Sequence, residues 1–136
     1  MDDTIAGRLR MFFEADHHDA AAVYLFGSVA RGDATDSSDV DIAVLYVANP
    51  PVTYAGLPLA LEGELERLLG RPTQVVTMNH APVDLRTRVL RDGVLLLDRD
   101  RSTRIKFEIQ TRNEWFDFEP VLLEYRGLRP AAGPAR

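Results

Sequence analysis

The chain contains no cysteine, no long apolar run and no surplus of positive charge. Without cysteine there is no disulfide bond and no thiol catalysis, which fits a cytoplasmic protein. A formal net charge of −5 leaves no broad positive surface for direct nucleic-acid binding. No apolar run approaches the ~18 residues of a membrane span. We therefore expect a cytoplasmic protein that binds neither nucleic acid nor a membrane directly.

Length and composition indicate one globular domain. A chain of 136 residues with 46% hydrophobic and 27% charged residues is large enough to bury a core. Short apolar runs typical of buried strands are interleaved with the wider apolar spacing of amphipathic helices. This alternation predicts an α/β or α+β fold, in which helices pack on a sheet.

The same patterns predict where the elements lie. We expect helices over residues 4–15, 61–69 and 102–125, a further helix starting at Pro82, and strands over 23–26, 39–47, 73–78 and 94–97. In the last helix, Ile105 and Ile109 should face inward, and Pro120 should interrupt or kink the helix. The domain should span residues 1–126, with a helical tail from about 102 to 126. Residues 127–136, rich in Pro, Ala and Gly, are predicted to be disordered.

The most informative pattern is a Gly-Ser pair followed by two spaced aspartates. Gly27 and Ser28 follow the first predicted strand, and Asp39 and Asp41 open the second. Side chains at i and i+2 of a strand share a face, so the two carboxylates should lie side by side and suit Mg²⁺. Gly27 allows a close approach of the backbone to a ligand, and Ser28 can donate to phosphate oxygens. The alternatives are a solvated strand end and an ordinary strand-to-helix turn.

Two further features leave alternatives open. Arg31 either binds a phosphate or pairs with a neighbouring aspartate such as Asp33. The aromatic residues Trp115, Phe116 and Phe118 lie among charged residues and cannot all face the core from one helix. Either two of them pack inward and one is exposed, or the three form a partner-binding surface.

The Gly-Ser pair and the Asp-x-Asp pattern resemble the signature of the polymerase-β-like nucleotidyltransferases. Over about residues 5–126 the chain is similar to the minimal nucleotidyltransferase (MNT) family. The similarity includes Arg31-Gly32, the Ser38-Asp39-Val40-Asp41 block, the 81–93 segment and the aromatic tail. It implies a small mixed sheet of the nucleotidyltransferase type, with flanking helices and a C-terminal helix.

The resemblance also implies a function. MNT antitoxins pair with a HEPN ribonuclease toxin and transfer AMP from ATP to a tyrosine of that partner, with Mg²⁺ as cofactor. By this resemblance Asp39 and Asp41 would be the catalytic metal ligands, and Gly27 and Ser28 would position the triphosphate. ATP as the nucleotide is implied by the resemblance alone.

One position departs from the family. MNT proteins carry a third carboxylate after a strand start like residues 70–73, and the matching position here is Gln74. Glutamine offers a neutral oxygen and cannot act as a base. Two hypotheses follow: an enzyme that modifies the toxin, or a weakened enzyme that neutralises the toxin by binding alone. A third alternative is a small-molecule nucleotidyltransferase, although such enzymes generally carry a substrate domain for which this length leaves no room.

Overall fold

Four strands form a mixed sheet with helices on both faces in the computed structural model, which describes residues 4–16, 18–50 and 57–127. In chain order the elements are α1 (Ile5–Ala15), β1 (Ala20–Phe26), α2 (Gly27–Arg31), β2 (Val40–Tyr46), α3 (Leu57–Leu69), β3 (Thr73–Thr77), a 3₁₀ turn (Met78–His80), α4 (Val83–Asp92), β4 (Val94–Asp98) and α5 (Arg101–Tyr125). The predicted fold class is confirmed. Within the described ranges no helix combines the length and apolar character needed to cross a bilayer.

The strands are ordered β3-β2-β1-β4. Strand β1 is antiparallel to β2 and to β4, whereas β2 and β3 are parallel. The end of β1 therefore meets the starts of β2 and β3 at one edge of the sheet. At this edge Asp41 is the partner of Phe26 on one side and of Gln74 on the other.

Each face of the sheet is covered by a separate hydrophobic cluster. The first cluster includes residues of α1, α3 and β2, namely Leu9, Phe13, Leu61, Leu65, Leu69, Val40, Ile42 and Val44. The second is formed by Ala21, Ala22, Tyr24, Ala43, Leu45, Met78 and Val89, with Leu85, Leu90 and Phe107 packed against it. Because side chains alternate along a strand, Asp41 faces the second side, where α4 and α5 pack. Val40, Ile42 and Val44 of β2 therefore face the opposite side from Asp41.

Local sequence signals place most element boundaries to within a few residues. Thr4 is the N-cap of α1, and its Oγ1 accepts a hydrogen bond from the backbone N–H of Gly7 at 3.0 Å. Strand β1 begins at Ala20, three residues before the predicted start, because its alanines are buried although weakly β-forming. Strand β2 is one residue shorter at each end, so Asp39 precedes it. Of the predicted disordered tail, residues 128–136 lie outside the described residues.

The predicted inward orientation of Ile105 and Ile109 is wrong. Their side chains are 37% and 48% exposed, respectively, whereas Phe107 and Thr111 of the same helix pack toward the domain. The apolar pattern fails here because polar residues of α5 also face the domain.

Polar contacts surround Tyr24, a buried residue of β1. The Tyr24 hydroxyl donates a hydrogen bond to Glu108 of α5 at 3.1 Å. The Arg104 guanidinium donates to both Glu108 and Asp98, each at 3.0 Å. Burial, together with the charge of Glu108, raises the pKa of Tyr24 well above its usual range. The hydroxyl thus remains a donor, and the network fixes which face of α5 points inward.

Helix α5 continues through Pro120 to Tyr125, so Pro120 does not interrupt it, and the alternative of a kink stays a prediction. Proline lacks the N–H that would bond to the carbonyl of Phe116, and it therefore removes one hydrogen bond of the helix. Pro120 is exposed near the end of a 25-residue helix. The remaining hydrogen bonds on either side are sufficient for the helix to continue.

Candidate active site

A cavity of about 470 Å³ opens at the edge where β1 ends and β2 and β3 begin. Its wall is built from three strands, from α2 and from one side of α4. The lining residues are Phe26, Gly27, Ser28, Arg31, Asp41, Gln74, Val76, Leu85, Arg88 and Asp92. The structure therefore brings most of the predicted site residues together in one place.

Gly27 and Asp41 are in close contact. A Cβ atom added at Gly27 would lie 2.2 Å from Oδ2 of Asp41, and Gly27 has a φ of +78°. Both the positive φ and the lack of room for a Cβ atom thus require glycine at this position. The sequence predicted a glycine that admits a ligand, whereas in the structure it admits the carboxylate of Asp41.

The two aspartates differ in their surroundings. Asp41 is half-buried, while Asp39 is exposed and immediately precedes β2. Burial and the nearby charge of Asp39 raise the pKa of Asp41, and Arg31 partly opposes this. A cation between the carboxylates would remove the repulsion that raises this pKa.

The donor set fits Mg²⁺. Magnesium is commonly held by one or two carboxylates and completes its octahedron with water and substrate phosphates. Asp41 lines a cavity large enough for phosphates, whereas Asp39 is not among the lining residues but is near enough for its charge to act on Asp41. Among the described residues no group of three or more acidic or histidine side chains forms a complete protein cage. Any ion here would therefore depend on the substrate for several ligands.

Gln74 lies directly beside Asp41. The two residues are partners in the parallel β2–β3 pairing, so their side chains share a face of the sheet. Gln74 is exposed and lines the cavity. Its amide oxygen can coordinate a metal but cannot accept a proton at neutral pH. Its identification with the third carboxylate position stays a prediction.

The two alternatives for Arg31 are both compatible with the geometry. Its Nε lies 3.4 Å from Oδ2 of Asp33, and both side chains are exposed. Arg31 also lines the cavity, as does Ser28 in the first turn of α2. A hydrogen bond of this length on the surface is weak, so an anion in the cavity can compete for the guanidinium.

Sequence reasoning missed the contribution of α4. Leu85, Arg88 and Asp92 of this helix all line the cavity. Their spacing of three and four residues places them on one helix face. That spacing was visible in the sequence, but the packing of α4 beside β2 and β3 was not.

The aromatic residues of α5 lie apart from the cavity lining. The rings of Trp115 and Phe118 are half-buried and 5.9 Å apart, whereas Phe116 is 79% exposed. Two of the three thus pack and one faces solvent. Their role in partner binding remains a prediction, and Phe116 is the residue best placed for it.

A Gly-Ser turn packed against the second aspartate of an Asp-x-Asp pattern, at the edge of a small mixed sheet, defines a protein of the nucleotidyltransferase class. The sequence pattern of the family described as "Polymerase beta, Nucleotidyltransferase" matches residues 10–102, and the chain belongs to this family. A relative from Methanocaldococcus jannaschii, named "Putative protein adenylyltransferase", is 31% identical over 80 residues. That alignment covers 59% of this chain and 83% of the relative.

Solved structures share the fold. A toxin–antitoxin crystal structure with AMP-PNP superimposes with a TM-score of 0.68 at 21% identity, covering 89% of this chain and 98% of the other. A structure of tri-AMPylated Shewanella oneidensis HEPN toxin in complex with MNT antitoxin gives a TM-score of 0.62 at 19% identity, covering 90% and 96%. At these identities the similarity establishes the fold.

Proposed function

We propose that this chain is an MNT-type antitoxin that neutralises a HEPN ribonuclease toxin by Mg²⁺-dependent transfer of AMP from ATP to a toxin tyrosine. The observation that carries the proposal is the packing of Asp41 against Gly27, with Asp39 nearby, at the mouth of a phosphate-sized cavity. Family membership supports nucleotidyl transfer. The named AMPylated toxin and AMP-PNP complexes among proteins of the same fold support the partner and the nucleotide.

Each site residue has a role in this proposal. Asp39 and Asp41 would hold Mg²⁺, and the ion would supply positive charge against the phosphates. Ser28, in the first turn of α2, donates its hydroxyl and N–H to phosphate oxygens, and Arg31 adds a guanidinium from the last turn of the same helix. Gly27 keeps Asp41 in position by leaving room for its carboxylate.

The proposed transfer is a nucleophilic substitution at the α-phosphorus of ATP. The phenolic oxygen of the toxin tyrosine forms a bond to the α-phosphorus, and the bond from that phosphorus to the bridging oxygen of the β-phosphate breaks. Pyrophosphate leaves with the electron pair, and the phenolic proton is released. Gln74 cannot accept this proton, and in this proposal the proton passes to water. Loss of a general base typically costs about 10²–10⁴ in rate.

Gln74 also favours a second candidate function. With a neutral side chain in register with Asp41, the chain would retain Mg²⁺–ATP binding and neutralise the toxin by binding alone. The exposed Phe116 of α5 is then the contact of greatest importance.

Intact-protein mass spectrometry of the HEPN partner distinguishes AMP transfer from neutralisation by binding alone. The partner is co-expressed with this chain, with the Asp39→Asn/Asp41→Asn variant, or with a control in which Asp16 and Asp36 are both changed to Asn. Both control aspartates are exposed and lie outside the cavity lining. An AMP-sized mass increase with the parent and the control, absent with the first variant, supports transfer. An unmodified partner that co-purifies and is inactive supports binding alone, and a partner that is neither modified nor bound contradicts both.

A further inference from the structure

Three arginines of α4 have different environments. Arg86 is directed toward α5, where it donates to Thr111 at 3.2 Å and pairs with Glu114. Arg91 donates two hydrogen bonds to Asp92, at 3.1 and 3.3 Å. Arg88 forms no hydrogen bond or ion pair with any described residue and lines the cavity. It is thus the α4 arginine available to a ligand there.

We propose that Arg88 binds the β- and γ-phosphates of the nucleotide, and so the pyrophosphate that leaves, from the side of the cavity formed by α4. The inference rests on the proposed function and adds a binding residue to it. A guanidinium presents several N–H donors in a planar fork that matches phosphate oxygens. Because Arg88 forms no hydrogen bond with a described residue, these donors are available to a phosphate.

The arrangement of residues around the cavity supports this position. Asp41, the candidate metal ligand, belongs to β2, whereas Arg31 belongs to α2 and Arg88 to α4, and all three line the cavity. A triphosphate with its α-phosphate near Asp41 can therefore meet a guanidinium from each of the two helices.

The negative charge of a triphosphate favours a second cationic side chain in the cavity. A triphosphate carries more negative charge than Arg31 and one Mg²⁺ compensate, and the whole chain has a net charge of −5. The carboxylate of Asp92 does not occupy Arg88, because Arg91 binds it through both of its oxygens. Arg88 is attracted by the charge of Asp92 without a hydrogen bond to it, so its N–H donors remain open to a phosphate.

The test measures nucleotide affinity rather than toxin modification. Isothermal titration with the Mg²⁺ complex of α,β-methylene-ATP, and separately with AMP, is applied to the parent and to Arg88→Gln, Arg88→Lys and Arg112→Gln. Arg112 is the matched control, since it is exposed, forms no hydrogen bond or ion pair with a described residue and does not line the site cavity. Thermal unfolding of each variant checks that the fold is intact.

We expect Arg88→Gln to bind the triphosphate analogue roughly 10- to 100-fold more weakly, the range for a lost hydrogen bond between charged groups. Arg88→Lys should lie between it and the parent, because lysine keeps the charge but not the fork. Affinity for AMP, and all affinities of Arg112→Gln, should be unchanged. Equal binding of the analogue by the parent and Arg88→Gln overturns the inference while the proposed function stands. No binding by the parent overturns both.

Discussion

Gln74 and Asp41 are register partners in adjacent parallel strands, and both line the same cavity. A carboxylate at residue 74 would face Asp41 across the strand pair and could share a cation with it. The amide found there removes a charge and a base while keeping an oxygen ligand. This single pair therefore bears directly on whether the chain modifies its partner or only binds it.

Replacing Gln74 with Asp should raise the rate of AMP transfer, by up to about 10²–10⁴ if the missing base limits the reaction. The rate is measured as ATP-dependent labelling of the HEPN partner. Gln74→Asn is the matched control, because it has the size of Asp without the charge or basicity. If Gln74→Asp is no faster than the parent, residue 74 is not the third carboxylate position.

Replacing Gly27 with Ala should displace Asp41, since the new Cβ would lie 2.2 Å from its Oδ2. We expect affinity for Mg²⁺–nucleotide to fall roughly 10- to 100-fold, the range for disturbing the support of a metal ligand. Gly32→Ala is the control: Gly32 has a similar φ of +82° but open space around the added Cβ. Both variants should lose about 1–2 kcal/mol of unfolding free energy from backbone strain. Equal nucleotide affinities in the two would show that the contact with Asp41 is unimportant.

The raised pKa of Asp41 predicts a specific pH dependence of stability without metal. Between the usual value of 3.8 and the raised value, the folded protein binds more protons than the unfolded chain, so stability falls as pH rises. Asp41→Asn should therefore unfold at a higher temperature than the parent at neutral pH, and the difference should shrink as the pH falls toward 3.8. Asp36→Asn, at an exposed loop position, is the control.

Magnesium should reverse this difference. Adding Mg²⁺ should raise the unfolding temperature of the parent at neutral pH, because the ion binds the folded state and relieves the repulsion between Asp39 and Asp41. The Asp41→Asn variant should respond far less. A parent that does not respond to Mg²⁺, with or without nucleotide, would contradict the assignment of these aspartates as metal ligands.

Replacing Phe116 with Asp should abolish co-purification with the HEPN partner while leaving the unfolding temperature of the chain unchanged. The side chain is 79% exposed, so its loss costs little in the isolated protein but much in an apolar interface. Leu59→Asp is the control, since Leu59 is a 62% exposed apolar residue of α3. Undiminished co-purification of the Phe116 variant would exclude this residue from the interface.

Much of the fold could be predicted from the sequence because its signals are local. The N-cap Thr4 and the leucines of α3 placed two helices, and the short apolar runs of β1 and β2 placed two strands. The predicted inward face of α5 is wrong, because polar as well as apolar residues of this helix face the domain. Its inward face includes Arg104 and Glu108, which satisfy a buried tyrosine, and so Ile105 and Ile109 point outward.

The family and the candidate metal ligands could be predicted from the sequence alone, because the Gly-Ser pair and Asp39-x-Asp41 lie close together in the chain and form a local pattern. The residues that surround this pattern depend on the tertiary structure. Register between β2 and β3 placed Gln74 beside Asp41, and the packing of α4 brought Arg88 into the cavity. Those neighbours come from elements distant in sequence, and hydrophobic burial on both faces of the sheet, rather than local propensity, sets how such elements meet.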